Sequence, residues 1–156
     1  MEPTPKLAEA LSKAQSEIVQ PEKNKTVEVR TKDGGRYTFD YADYNAIVQA
    51  VRGPLTKNGI CFTHLITLID KEPVLLTRLI HSSGEMLESV YLLPHNVAAK
   101  DFGAAVTYGK RYCLSALTGC VADDDTDAEP ENVTSFKPKH RNEWWDTATG
   151  RKFVIY

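Results

Sequence analysis

Long apolar runs are missing from this chain of 156 residues. Its longest ones are too short to cross a bilayer, and no charged-then-apolar leader opens it, which predicts a soluble, cytoplasmic protein with no membrane partner. Cysteine is scarce. Cys61, Cys113 and Cys120 are odd in number, widely spaced and set among apolar neighbours, which excludes a disulfide framework and zinc-ligand spacing and fits a reduced compartment. Catalytic signatures are missing too: there is no Walker lysine loop, no dinucleotide glycine fingerprint and no nucleophile elbow. Gly103 and Gly109 sit in a helical pattern, without the glycine-to-lysine spacing of a nucleotide cradle. An ATPase is therefore excluded. His64, His81, His95 and His140 stand apart from one another and from the cysteines, so no metal pair is legible. Internal repeats are absent.

A surplus of positive charge is also lacking, since the formal net charge is −2. By segment the picture changes: residues 1–122 carry net +1, residues 123–131 hold six acids and no base, and residues 132–156 carry net +3. Any electrostatic footprint on the body must come from local clustering.

What the chain does have is enough apolar content, 42%, for one domain with a true core, plus a tail. Leu7, Leu11, Ala14 and Ile18 fall at helical spacing between Pro5 and Val19, and Pro21 ends that helix. Pro21–Lys25 reads as a loop. Thr26–Thr31 and Arg36–Asp40 alternate like strands on either side of Asp33-Gly34-Gly35, which predicts a hairpin. Asp43 is an N-cap for a helix over Tyr44–Lys57, with Gly59 at its C′ position, and Gly53-Pro54 predicts a kink or break inside it. Ile60–Ile69, Val74–Ser82 and Glu85–Leu93 then read as an antiparallel meander, turning at Lys71-Glu72-Pro73 and Ser83-Gly84. The expected fold class is α+β: an antiparallel β-meander with a long helix packed on the sheet, preceded by an N-terminal helix, a hairpin and a second helix.

That long helix spans Ala98–Leu117, closed by Gly119. Phe102, Val106, Gly109, Cys113, Ala116 and Leu117 share one arc, which predicts a buried stripe. The opposite arc carries Lys100, Ala104, Thr107, Tyr108, Arg111 and Ser115. Cations neutralise phosphates, hydroxyls donate to phosphate oxygens, small residues admit a backbone, and a tyrosine ring stacks on a base. The arc reads as a single-stranded nucleic-acid groove, against the plainer reading of a polar, solvated face. Lys100, Lys110 and Arg111 are the expected phosphate contacts, Thr107 a hydroxyl donor, Tyr108 a stacking or backbone contact, and Tyr112 core. Arg52, beside the glycine-proline irregularity, is a further phosphate candidate against the alternative of a solvated arginine.

Asp123-Asp124-Asp125 and Asp127 invite a second reading, a metal-dependent nuclease using magnesium. Two-metal sites draw their carboxylates from separate elements converging in a cleft, and an EF-hand starting at Asp123 would place Ala128 and Thr134 at its sixth and twelfth positions, where glycine and a bidentate acid belong. Acids just past a helix C-terminus also oppose the helix dipole, so another role must offset them, either neutralising a basic patch on a neighbouring subunit or competing with DNA to limit non-specific binding. The expected organisation is a core domain over 1–127, a flexible linker over 128–142, and a tail over 143–156 that holds Trp144 and Trp145. The tail either docks on its own core or a neighbouring subunit, or hands an apolar motif to a partner. Docking is favoured, since exposed tryptophan pairs are rare without a use.

The run Gly103–Leu117 with Gly119 and the aspartate triplet closely resembles the signature of the essential recombination function (ERF) family of phage single-strand annealing proteins. Tyr41-Ala42-Asp43-Tyr44, Ala50–Leu55 and Asn58-Gly59-Ile60 resemble that family's first helical motif, and His81–Glu85 with Leu93-Pro94 its strand and turn motif. The motifs follow in order from about Leu7 to about Asp127. One mild departure is Gly109-Lys110-Arg111, where the family commonly has a second arginine or a small residue. The resemblance implies a β-β-β-α core, no enzymatic activity, no cofactor, and ATP-independent annealing of complementary single strands by an oligomeric ring or filament. It also implies the cytoplasm of a bacterial host, with host single-strand-binding protein or a phage exonuclease as partners through the tail.

Overall fold

The computed structural model describes residues 3–123, 143–146 and 151–154. Most of the acidic run and the linker expected at 128–142 lie outside the described residues.

Proline at the first helical position pre-sets the backbone of α1 (Pro5–Glu17), and Leu7, Ala10 and Ala14 form its buried stripe. β1 (Lys25–Arg30) and β2 (Arg36–Tyr41) pair antiparallel, Lys25 opposite Tyr41 and Arg30 opposite Arg36, around Gly34 at φ 81°. α2 (Tyr44–Lys57) starts where Asp43 accepts from the Ala46 N–H at 2.9 Å. The expected kink or break does not interrupt it. Pro54 removes a donor only in the last turn, and there the Thr56 hydroxyl donates to the Arg52 and Gly53 carbonyls.

β3 (Ile60–Ile69), β4 (Glu72–His81) and β5 (Met86–Leu92) form one antiparallel sheet in the order β3-β4-β5. The first turn is shorter than the sequence predicts. It is made by Asp70 and Lys71, at φ 51° and 69°, so Glu72 and Pro73 belong to β4. Two positive-φ residues give a tight turn whose twist matches the strands, and proline is tolerated near a strand's start.

α1, α2 and α3 (Ala99–Thr118) all gather on one face of the sheet. Leu7, Ala10, Ile47, Val51, Leu55, Ile60, Leu79 and Leu114 meet there as a single core. The other face carries Leu65, Ile69, Met86, Val90 and Leu92, all partly exposed. Cys113 and Cys120 are buried, and Cys61 is exposed. In the tail, β6 (Glu143–Asp146) and β7 (Arg151–Val154) pair antiparallel, with Trp144 opposite Phe153.

Gly109 lets α3 lie close to the sheet. A Cβ there would stand 2.7 Å from the Tyr91 ring and 2.9 Å from a methyl of fully buried Leu75. Alanine gains about 1 kcal/mol of helix propensity over glycine, but overpacking a filled core costs about 1–3 kcal/mol. Gly109→Ala is therefore expected to destabilise by up to about 2 kcal/mol in urea unfolding; a stabilised protein would mean that α3 can lift off the sheet freely.

The buried stripe of α3 departs from the expected arc. Gly109 and Cys113 are buried as predicted, Phe102, Val106 and Leu117 only partly, and Ala116 is exposed. Leu114, Thr118 and Arg111 are buried instead. Only the first half of α3 is covered from the sheet side alone. α2 packs on the helix as well, the Gln15 side chain of α1 donates to the Thr118 carbonyl, and the chain after Gly119 returns along β2, where the Ala42 N–H donates to the Ala122 carbonyl at 2.7 Å.

Candidate nucleic-acid interface

The exposed side of α3 begins with Lys100 and Thr107, both open to solvent. The Thr107 hydroxyl already donates to the Gly103 carbonyl at 3.1 Å, so toward a phosphate it must break that bond. One turn on, Tyr108 and Tyr112 stack with ring centroids 6.0 Å apart and an interplanar angle of 20°. Tyr108 is 50% exposed and Tyr112 44%. The expectation that Tyr112 is core is thus overturned.

Arg111 corrects the sequence reading in the other direction. It is 6% exposed, not an open phosphate clamp. Its guanidinium lies 4.2 Å from the Tyr41 ring centroid, 5.0 Å from Tyr112 and 5.3 Å from Tyr108, and 3.7 Å from an Asp123 carboxylate oxygen. The cause is the return of the chain over the helix, where Asp123 forms a β-bridge with Tyr41. The acid that follows the α3 C-terminus, unfavourable beside the negative end of the helix dipole, has this buried cation as its counter-charge.

Lys110 turns to the opposite flank. Its ammonium stands 5.9 Å from the Tyr44 ring centroid. Tyr44 meets His64 edge-on at 5.6 Å, His64 meets Phe62 at 5.8 Å, and Arg52 lies 5.9 Å above Phe62. A cation, three rings and a second cation thus run in one strip from α3 across the start of α2 and along β3 to the middle of α2. Sequence reasoning found the two cations and missed the rings between them. Phe62 and His64 lie two apart on β3, so they share a face, but only the fold brings Tyr44 beside them.

His64 is the electrostatic outlier of the strip. Nδ1 lies 2.8 Å from the Thr77 hydroxyl and Nε2 is buried without a hydrogen-bond partner among the described residues. Burial first, and the Lys110 charge second, push its pKa down to about 4. Burial likewise pushes the Tyr44 hydroxyl up, against the opposing pull of Arg52. Both side chains are neutral at pH 7. For His64 the unfolded state takes up a proton near pH 6.5 and the folded state not until about 4, so stability is complete above 6.5 and falls as the pH drops through that window. His64→Gln is expected to flatten the loss of urea midpoint between those pH values; an unchanged slope would mean that other groups carry it.

Among the described residues, no three His, Cys, Asp or Glu side chains are grouped to hold a metal, and no helix is long and apolar enough to cross a membrane. Asp123 faces Arg111, and Asp124, Asp125 and Asp127, which the nuclease reading needs, lie outside the described residues. Compared with known families, the chain matches the ERF superfamily over residues 7–144. It belongs to the ERF superfamily. That span takes in most of α1 and everything on to α3, and so both cation-and-ring clusters, and the superfamily is one of recombination and single-strand annealing. No curated relative and no solved structure matches this ERF-superfamily chain.

Proposed function

We propose that this protein binds single-stranded DNA and anneals complementary strands in phage recombination, without ATP or a metal cofactor, as an oligomeric ring or filament. The observation that carries this reading is the row of three aromatic rings bracketed by two cations, Lys110–Tyr44–His64–Phe62–Arg52, on one flank of α3, with the open Tyr108–Tyr112 stack on the other. Cations hold phosphates whatever the sequence, and rings take bases by their faces, leaving Watson–Crick edges free to find a complement. Pairing then decides the match, and the protein supplies alignment and avidity. Lys100, Lys110 and Arg52 are the phosphate contacts of this reading, Tyr108 and Tyr112 the stacking platform, and Thr107 a polar neighbour of the same track. In this reading the tail docks on its own core or a neighbouring subunit, with host single-strand-binding protein or a phage exonuclease as the alternative it would engage.

The test is duplex formation from two complementary labelled oligonucleotides, with no nucleoside triphosphate and with or without Mg²⁺. Acceleration in both conditions is expected, whereas cleavage in Mg²⁺ would favour a nuclease and neither outcome would leave only an assembly protein. In the same assay Tyr108→Ala with Tyr112→Ala should weaken binding by about 1–3 kcal/mol per stacked base. The loss should be equal for thymine-rich and mixed strands; a purely structural role would appear as a lowered Tm with unaltered annealing.

A further inference from the structure

Arg111 and Asp123 are poorly matched as a structural ion pair. A guanidinium has five donors and satisfies carboxylates two at a time. Among the described residues, this one makes a single hydrogen bond, to the Tyr112 hydroxyl at 3.3 Å, and stands 3.7 Å from Asp123, beyond hydrogen-bond reach. The Asp123 oxygen nearest to it is buried and has no hydrogen-bond partner among the described residues. A buried cation and a buried carboxylate oxygen are thus both left under-satisfied, although one sits beside the other. Burial without full pairing is costly, so nothing in this geometry makes the carboxylate the best available anion for the pocket.

Everything else about the pocket suits a phosphate. Three tyrosine rings fix the guanidinium within 4.2–5.3 Å of their centroids, and two of those rings, Tyr108 and Tyr112, are also the open stacking platform. A phosphate at Arg111 would therefore belong to a nucleotide whose base, or whose neighbour's base, meets the stack. A phosphodiester brings one negative charge and two free oxygens, so it replaces the carboxylate charge for charge and can meet the guanidinium in the bidentate pair that Asp123, at 3.7 Å, does not make. The carboxylate hangs on a short tie, the bridge of Asp123 to Tyr41 and the Ala42–Ala122 hydrogen bond, where the chain returns over α3.

We propose that the Arg111 pocket is a backbone-phosphate subsite for single-stranded nucleic acid, and that Asp123 occupies it in the free protein and is displaced when a strand binds. The inference rests on the nucleic-acid reading above and adds to it a site and a regulator. It also gives the first acid of the run a role. Asp123 closes the deepest cation to weak, non-specific anions and yields it to a strand that already holds the neighbouring rings and lysines.

The experiment compares Asp123→Asn with the full wild-type chain for binding to oligothymidylate. A strand that competes with a contact closed about nine times in ten binds about tenfold more weakly than to the open pocket, so the asparagine variant should bind about tenfold more tightly. Equal or weaker binding by the variant, with the wild type binding well, overturns the displacement and leaves the nucleic-acid reading standing. Absence of binding by both proteins at low salt overturns both. A lowered Tm without any gain in affinity likewise overturns it, since Asp123 would then be only a tie between strand and helix. Should the variant not fold, the wild-type chain still decides: the side-chain Nε–H resonance of Arg111 should shift as oligothymidylate is added. A fixed Arg111 signal while backbone signals of α3 move would overturn the proposal.

Discussion

Changing Lys100, Lys110 and Arg52 together to alanine should lower the salt slope of single-strand binding by about 2, since each phosphate contact on a single strand contributes about 0.7. At about 50 mM salt the affinity should fall on the order of 10²-fold, with no preference for base sequence. The three cations come from both ends of the cation-and-ring strip and from the first turn of α3, so the loss measures whether one strand spans them all. A slope unchanged within about half a unit would place the strand elsewhere. None of the three is a core residue: Lys100 and Arg52 are exposed and Lys110 is half-buried, so the Tm should move little.

The largest stability effect should come from Leu114→Ala, at about 2–5 kcal/mol in urea unfolding. Leu114 is fully buried where α3 meets Leu7 of α1, Ile47 and Leu55 of α2 and Leu79 of the sheet. It also bears on function, because Lys110 and Arg111 lie within one turn before it. Loosening its seat should weaken strand binding beyond what a surface change of equal size would do. A loss below about 1 kcal/mol would show that the site collapses readily around the smaller side chain.

Local signals in the sequence carry most of the fold. The Asp43 cap, the Gly34 and Gly84 turns, the Gly59 and Gly119 helix ends and the alternation in β3–β5 are each set by neighbours within a few positions, and each appears in the structure. The first meander turn falls earlier than its proline suggests, because Asp70 and Lys71 make it with two positive φ values. The site is less legible. A helical wheel assumes one covered side along the whole length of α3, but α2 and the chain returning through Asp123 cover a second side of its later half. That reverses the positions of Arg111 and Tyr112. Phe62 and His64 carry no signal of their own, and Tyr41 and Tyr44 are legible only as part of the family motif, not as site residues; Tyr41 ends over Arg111. The other three become a strip only when the start of α2 and β3 converge on α3.

The distribution of thiols makes the protein its own labelling scaffold. Cys113 and Cys120 are shut away, and burial pushes the Cys120 thiol up, which starves it of the reactive thiolate, while Cys61 lies open on β3. A maleimide fluorophore should therefore attach at one place without any engineered cysteine. That place is the residue before Phe62, on the opposite face of the same strand, close enough to the strip for the dye to sense an arriving oligonucleotide and too far round the sheet to block it.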